Sequence, residues 1–344
     1  MRRLLTFYIV LVAAVSAAHA DPADDFIRAE MKRQNIPGLA VAVIQDGKVI
    51  KAAGYGVTNL TTKEPVTPDT VFKIASVSKQ FVAAGIMVLA QNGRLTVDDP
   101  VSQHIQGVPA AWNAITIRHL LSHTAGLVRE PPAFDPFKTI SYADLIASAY
   151  NAPLRFTPGE KWEYSNVGYN ILVEIITRAS GRPWSEFIAE RVFKPAGLTA
   201  TRTTTPGPQP GKATGYSDND RLLEAVDWTA VRAGGAFFST VRDLARWDVV
   251  LDGNSVLQEA TRTQMWTPAA LTDGSTATYG FGWFINQPKS RRQVWHSGDL
   301  PGFKAQFHRY FDDRVSVIML MNLDDCDDDT ILAGVANLYL PDRK

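Results

Sequence analysis

Ser76 and Lys79 stand three residues apart in "TVFKIASVSKQF", at the head of a run, "VAAGIMVLAQNGRL", with almost no other charge. The pattern predicts a helix from Ser76 to Gln91, stopped at Asn92-Gly93. Residues three apart share a helix face, so hydroxyl and amine would meet. A serine at a helix N-terminus sits where backbone N–H groups and the dipole favour negative charge. The downstream run is too apolar to be solvated all round. Lys79 is therefore expected to lose its water, which favours the neutral amine and lowers its pKa from about 10.4. A neutral amine beside a serine hydroxyl can take its proton. The same pair also fits an N-cap serine with a snorkelling lysine, so the pattern gains meaning only with partners elsewhere.

Two stretches offer such partners. In "FTPGEKWEYSNVGYNIL", Tyr164-Ser165-Asn166 falls in a turn before a helical pattern. A phenol near an ammonium can shuttle a proton, and Asn166 has both a donor and an acceptor with which to orient Lys79 and a substrate carbonyl. A buried tyrosine with an N-cap serine or asparagine is the plainer account of the same residues. In "VWHSGDLPGF", His296-Ser297-Gly298 follows an apolar strand. Gly298 would let a substrate lie close to the strand edge, and a backbone N–H just beyond it, at Asp299, could donate to an oxyanion.

The elements that must position these residues are legible in outline. "GLAVAVIQDGKVIKAAGYGVTN" reads as two strands around Asp46-Gly47, a hairpin signal. At the far end "YGFGWFI", "RQVWHSG", "GFKAQFHRYF" and "RVSVIMLMNL" are β-rich runs, with Asp312-Asp313 joining the last two, and "DTILAGVANLYL" is a closing helical pattern. The middle is helical: "SYADLIASAY", "VGYNILVEIITRAS", "PWSEFIAERVF", "STVRDLARWDVVL" and "SVLQEATRTQMW", with Ser141, Ser239 and Ser255 as expected N-caps. Strands at both ends and helices between them predict an α+β fold. One antiparallel sheet is built from both termini and flanked by helices, a helical region is inserted between its first and last strands, and a cleft lies between the two regions. The sheet region is expected over about 21–75 and 240–344, and the helical region over about 76–239.

Ser76-x-x-Lys79, Tyr164-Ser165-Asn166 and His296-Ser297-Gly298, in that order, resemble the three motifs of the penicillin-recognising serine hydrolases, for which S-x-x-K is a signature. The resemblance is to the class C β-lactamase-like group, which holds class C β-lactamases, D-Ala-D-Ala peptidases, D-amino-acid-specific peptidases and β-lactamase-fold esterases. "TIRHLLSHTAGL", "FTPGEKWEYSN" and "GGAFFSTVRDLARW" also resemble it, and the likeness runs from about Ala23 to the C-terminal strands. It implies the β-lactamase/transpeptidase-like fold and no metal or cofactor. Ser76 would be the acylated nucleophile, and Lys79 and Tyr164 would share the acid/base work in a division left open. Asn166 would position the substrate amide or ester, with His296, Ser297 and Gly298 at the cleft. The N–H groups of Ser76 and Asp299 would form the oxyanion hole.

Two positions depart from the pattern. Class C β-lactamases carry lysine where this chain has His296, and relatives often place a hydroxyl residue where it has Asp299. A neutral histidine beside an aspartate receives a carboxylate poorly, and β-lactams and D-Ala-D-Ala peptides both present one. The expected activity is therefore hydrolysis of a small ester, amide or peptide lacking that group, unless Arg291 or Arg292 compensates. The alternatives are a D-Ala-D-Ala carboxypeptidase or weak β-lactamase, and a non-catalytic binding or scaffold protein.

Other signals set limits. The 344 residues are 45% hydrophobic and 20% charged with zero formal net charge, which fits a folded soluble protein and not a nucleic-acid binder. Residues 1–20, "MRRLLTFYIVLVAAVSAAHA", read as a secretory signal with a basic start and an A-x-A cleavage site before Asp21. That predicts a periplasmic or secreted protein, with no membrane span once the signal is cleaved; retention as an anchor is the alternative. The single cysteine, Cys326, allows no internal disulfide, and its acidic neighbours would make a poor nucleophile. His119 and His123 have the spacing of a zinc helix but lack its glutamate. Asp324, Asp325, Asp327, Asp328 and Asp329 do not fit a calcium loop and read as a solvated turn. Trp162 and Trp295 are the tryptophans expected near the cleft.

Overall fold

Asp46 and Gly47 both adopt left-handed backbone, with φ of 50° and 71°. That is the geometry by which a two-residue turn matches the twist of its strands. It joins β1 (Gly38–Gln45) to β2 (Lys48–Gly56). The structure is a computed structural model that describes residues 21–203, 209, 211–218, 220–226, 230, 232–287 and 291–342; the expected signal, residues 1–20, lies outside them. Four further strands, β3 (Phe284–Asn286), β4 (Gln293–Leu300), β5 (Phe303–Tyr310) and β6 (Val315–Met321), complete a six-stranded antiparallel sheet in the order β2-β1-β6-β5-β4-β3. The ends of the chain meet where β1 pairs with β6, from Leu39 opposite Met321 to Gln45 opposite Val315.

Both faces of the inner strand β1 are buried, whereas the edge strand β2 is mostly exposed or half-buried. Leu39, Val41 and Val43 of β1 point into a core with Ile27, Met31, Ile331 and Val335, which belong to α1 (Pro22–Arg33) and α5 (Asp328–Tyr339). Ala40, Ala42 and Ile44 point the other way, into a larger core with Phe81, Ile176, Leu244 and Trp247. Those residues come from α2 (Lys79–Gln91), α3 (Asn166–Ser180) and α4 (Val241–Val250). Residues 79–89 of α2 are all buried. This is the behaviour of a helix that is apolar on every side, and it brings Lys79 into the interior. None of the helices among the described residues is long and apolar enough to cross a membrane.

Several expected details shift. Ser141 does cap the helix Tyr142–Ala147. Thr240, not Ser239, caps α4 by accepting from the Asp243 N–H, because Ser239 ends a short strand, Phe237–Ser239. Ser255 caps no helix: it lies in a series of bends in which Val256 and Leu257 are buried, and the helix Glu259–Met265 starts only after Gln258. Only the end of "YGFGWFI" is strand. Gly282, at φ 79°, holds that segment against the start of α2, where a Cβ would lie 2.9 Å from the Lys79 carbonyl.

The acidic run is a solvated turn only in part: Asp325, Asp327 and Asp329 are exposed, whereas Asp324 and Asp328 are engaged by the fold. Asp324 Oδ2 accepts from Ser217 Oγ and the Gly302 N–H, both at 2.6 Å. Asp327 caps α5, and Asp328 is buried against Gln306, its carboxyl raised by burial. Burial, then Asp328, pushes the Cys326 thiol up to about 12.

Candidate active site

Ser76 lies in a tight 3-10 turn, Ala75–Ser78, and the α-helix proper begins at Lys79. Ala75 is left-handed, with φ 46°. That strained conformation for a residue with a Cβ keeps the α-helix from starting earlier. In a 3-10 turn positions i and i+3 eclipse, so Ser76 still meets Lys79, its Oγ 3.2 Å from Nζ.

Lys79 is wholly buried. Its Nζ also lies 2.8 Å from Asn166 Oδ1 and 3.1 Å from the Gly234 carbonyl. The Tyr164 and Tyr169 rings stand 4.7 and 5.1 Å away, face-on, an arrangement that favours a cation. Burial outweighs it and lowers the Lys79 pKa to about 7; the Glu130 carboxylate opposes the shift and the Arg129 guanidinium adds to it.

Asn166 is the first residue of α3, which Ser165 caps by accepting from the Gly168 N–H. The Asn166 N–H donates to the Arg129 carbonyl at 2.7 Å, and its Nδ2 donates to Glu130 Oε1. The Tyr164 phenol is buried, which raises its pKa; its oxygen makes no aligned hydrogen bond, and the Ser76 hydroxyl is the polar group beside it. Beneath it the His123 ring lies tilted, centroids 4.2 Å apart. His123 Nδ1 accepts from the Ser165 N–H at 3.1 Å, so the second motif rests on this buried imidazole. His119 Nδ1 instead accepts from the Thr116 N–H, and the two histidines serve separate turns. Among the described residues no three His, Cys, Asp or Glu side chains cluster as a metal site would require.

β3 pairs with β4 only as far as Phe284 opposite Trp295. Beyond that point the turn bearing Ser76 lies against β4. A Cβ at Gly298 would stand 2.3 Å from the Ile74 carbonyl, so this glycine makes room for the Ser76 turn and not, as expected, for a substrate. His296 is buried, its pKa lowered to about 3 by burial and then by Lys79. Its Nδ1 lies 2.6 Å from the Ser297 carbonyl, an acceptor only, so that nitrogen carries the proton; Nε2 then accepts from the Tyr279 hydroxyl at 2.9 Å. Asp299 pairs with Lys304 at 2.9 Å.

Ser76, Tyr164, Asn166, His296, Ser297 and Asp299 line one cavity of about 510 Å³. Trp162 lines it too, whereas Trp295 stacks between Phe284 and His308. Arg291 and Arg292 are elsewhere, the first at the Pro341 carbonyl and Asp313, the second over Phe311. The cations of the cavity are Arg129 and Arg232, which nothing in the sequence had singled out. Gly234 and Glu130 were also missed. The Gly234-Gly235 pair was a usable signal; Glu130, in a proline-rich loop, gave none.

A Cβ at Gly234 would lie 2.4 Å from Lys79 Nζ. Gly234→Ala is expected to push the amine away from Ser76 and lower kcat/KM for an ester by about 10², the scale of a misplacement of about 1 Å. Unfolding temperature should change little. Wild-type kinetics in the variant would show that the lysine position is not critical.

Residues 23–339 match the family model described as Beta-lactamase. The chain belongs to the Beta-lactamase family. It is 33% identical over 305 residues to Penicillin-binding protein 4* of Bacillus subtilis, covering 82% of this chain and 67% of that protein. It is 27% identical over 316 residues to Protein flp of Staphylococcus aureus, covering 87% of this chain and 62% of that one. The chain thus spans about two thirds of the length of these relatives or less. Among solved structures, the octameric penicillin-binding protein homologue from Pyrococcus abyssi superposes with a TM-score of 0.81 at 26% identity, covering 93% of this chain and 78% of that one. A D-amino acid amidase from Ochrobactrum anthropi superposes with a TM-score of 0.77 at 23% identity, covering 92% and 96%, and shares the fold. The β-lactamase/transpeptidase-like fold is that of these proteins, and membership makes the chain one of a family of serine hydrolases.

Proposed function

We propose that this Beta-lactamase-family chain hydrolyses an ester or amide through an acyl-enzyme on Ser76, with Lys79 as the base. The observation that carries this reading is the set of neighbours at Lys79 Nζ. A neutral amine has two N–H groups and one lone pair. Asn166 Oδ1 and the Gly234 carbonyl only accept, so they take the two N–H groups. The lone pair is left for the Ser76 hydroxyl at 3.2 Å. With its pKa lowered to about 7, the lysine is substantially neutral at physiological pH; the Tyr164 phenol, raised by burial, stays protonated. That assigns the first proton transfer to Lys79.

Lys79 takes the Ser76 proton as Oγ bonds to the substrate carbonyl carbon, and the N–H groups of Ser76 and Asp299 hold the tetrahedral oxyanion. The C–O or C–N bond to the leaving group then breaks. The Tyr164 hydroxyl gives its proton to that group and regains one from the Lys79 ammonium. Water releases the acyl group by the reverse relay.

The substrate is one without a carboxylate at the β4 edge. There His296 is neutral with both nitrogens engaged, and Asp299, paired with Lys304, offers an incoming carboxylate no cation. The D-amino acid amidase among the structural neighbours makes amides of that kind reasonable candidates. One observation favours the alternative, a D-Ala-D-Ala carboxypeptidase or weak β-lactamase: Arg129 and Arg232 line the cavity, and Arg232 Nε is buried without a partner. On the N-terminal stretch we place the protein in the periplasm or outside the cell.

The test is a panel of a fluorophosphonate, p-nitrophenyl esters and a fluorescent penicillin on the mature protein. Fluorophosphonate labelling mapped to the Ser76 peptide, with ester turnover, is expected. Penicillin turnover at rates typical of good β-lactamases would overturn the substrate assignment. Silence from every probe would point to the scaffold reading.

A further inference from the structure

Asn166 acts in the proposed mechanism only in one of its two amide orientations. With Oδ1 toward Lys79 it accepts an N–H and leaves the lone pair for Ser76. Rotated by half a turn, its Nδ2–H₂ would donate to that lone pair, and the lysine could no longer receive the serine proton. Nothing on the Lys79 side forbids the rotated form, since an amine can both donate and accept. The other end of the amide decides. There Glu130, from the loop after Leu127, meets Nδ2 with a carboxylate oxygen, and a carboxylate only accepts. The Asn166 main-chain N–H is held by the carbonyl of the adjacent Arg129, so the same loop fixes both the start of α3 and the side chain on it.

We propose that Glu130 is a positioning residue that locks the Asn166 amide and thereby keeps the Lys79 lone pair aimed at Ser76. The chain runs Glu130 Oε1, Asn166 Nδ2 and Oδ1, Lys79 Nζ, Ser76 Oγ, with the last two contacts at 2.8 and 3.2 Å. This rests on the reading of Ser76 as nucleophile and Lys79 as base. It adds a residue outside the three motifs, in the loop that also brings Arg129 to the cavity.

The charge of Glu130 has a second, separable effect. Lys79 is faced by Glu130, which raises its pKa, and by Arg129, which lowers it. The Tyr164 and Tyr169 rings, Asn166 and the Gly234 carbonyl complete its surroundings. The nearby His123 and His296 are buried and held neutral, partly by Lys79 itself. Glu130 is thus the one carboxylate among the groups that shift this lysine, and removing its charge moves the lysine pKa down.

The experiment compares Glu130→Gln and Glu130→Leu with the wild type, using a neutral p-nitrophenyl ester across pH 5 to 9. A glutamine can accept from Nδ2 through its amide oxygen but can equally donate to Oδ1 of a rotated Asn166, so it keeps the contact without the lock; leucine keeps neither. Both variants should move the acid limb of kcat/KM to lower pH. Glu130→Leu should lower the plateau kcat by about tenfold, the scale of one lost charge-assisted hydrogen bond, and Glu130→Gln by less, since one of its two amide orientations still supports the working form of Asn166, with KM unchanged in both. A wild-type plateau and limb in both variants would overturn the proposal. So would a raised KM with kcat and limb unchanged, which would make Glu130 a substrate contact. Ser76→Ala, assayed in parallel, separates the two levels. If it keeps ester turnover, the acyl-enzyme reading itself fails; if it is inactive while both Glu130 variants behave as wild type, only the positioning role fails.

Discussion

Ser76→Ala is expected to lower ester hydrolysis by at least about 10⁴, the scale seen when the nucleophile of a catalytic set is removed. The fluorophosphonate adduct should vanish with it. The loss should be catalytic and not structural. Ser76 is only partly buried, and the hydrogen bond of its side chain runs to Lys79. The turn that carries it is held by other groups: the Val77 N–H donates to the Ile74 carbonyl, and Ser78 Oγ accepts from the Phe237 N–H at 3.2 Å. Unfolding temperature should therefore match the wild type. Residual turnover would come from the oxyanion donors and substrate positioning, which act without a nucleophile. A variant that kept most of its rate would move the nucleophile to another group and dissolve the proposed role of Lys79 as well.

What the sequence made legible follows the range of the interactions. The Asp46-Gly47 turn is local, and its two left-handed residues are readable from two letters. The alternation of β1 is local too, and it assigns Leu39 and Ala40 to opposite cores. The three motifs fall together in space because each residue type was placed at a turn or a strand edge. Ser76 and Lys79 meet even though the helix begins three residues later than expected, since 3-10 and α spacing both bring i and i+3 together. The misses lie where a partner is distant in sequence. Gly234 is 155 residues from the lysine whose amine it accommodates, and the need for a missing Cβ there is invisible without the fold. Gly298 was read correctly as a place of close approach, but the approaching backbone is the Ile74–Ala75 segment. Arg291 and Arg292 were favoured only by closeness in sequence to the third motif; Arg129 and Arg232 reach the cavity from loops that carry no pattern. Trp295 is turned to the other face of β4 by the strand's alternation, away from its neighbour His296.

Lys79→Met should abolish most activity and, in the same protein, remove a pH dependence of stability. The kinetic loss is expected at about 10²–10⁴, the usual contribution of a general base. In the wild type kcat/KM should rise with pH through about 7, as the lysine loses its proton; in Lys79→Met any residual rate should lack that limb. The stability effect follows from burial. An ordinary lysine holds its proton to a pKa near 10.5, and Lys79 in the fold only to about 7. Between these values the unfolded chain binds one proton more than the native state, so unfolding stability rises with pH across that window. Below about pH 7 both states are protonated at this residue and the burial penalty is fully present. It falls away toward pH 10, and its span is on the order of a few kcal/mol. Methionine carries no charge to bury. The difference in unfolding temperature between wild type and Lys79→Met should therefore move in favour of the wild type as pH goes from 7 to 9.5. Parallel curves over that range would mean that Lys79 keeps its proton in the folded protein. In that case it could not be the group that first accepts a proton from Ser76.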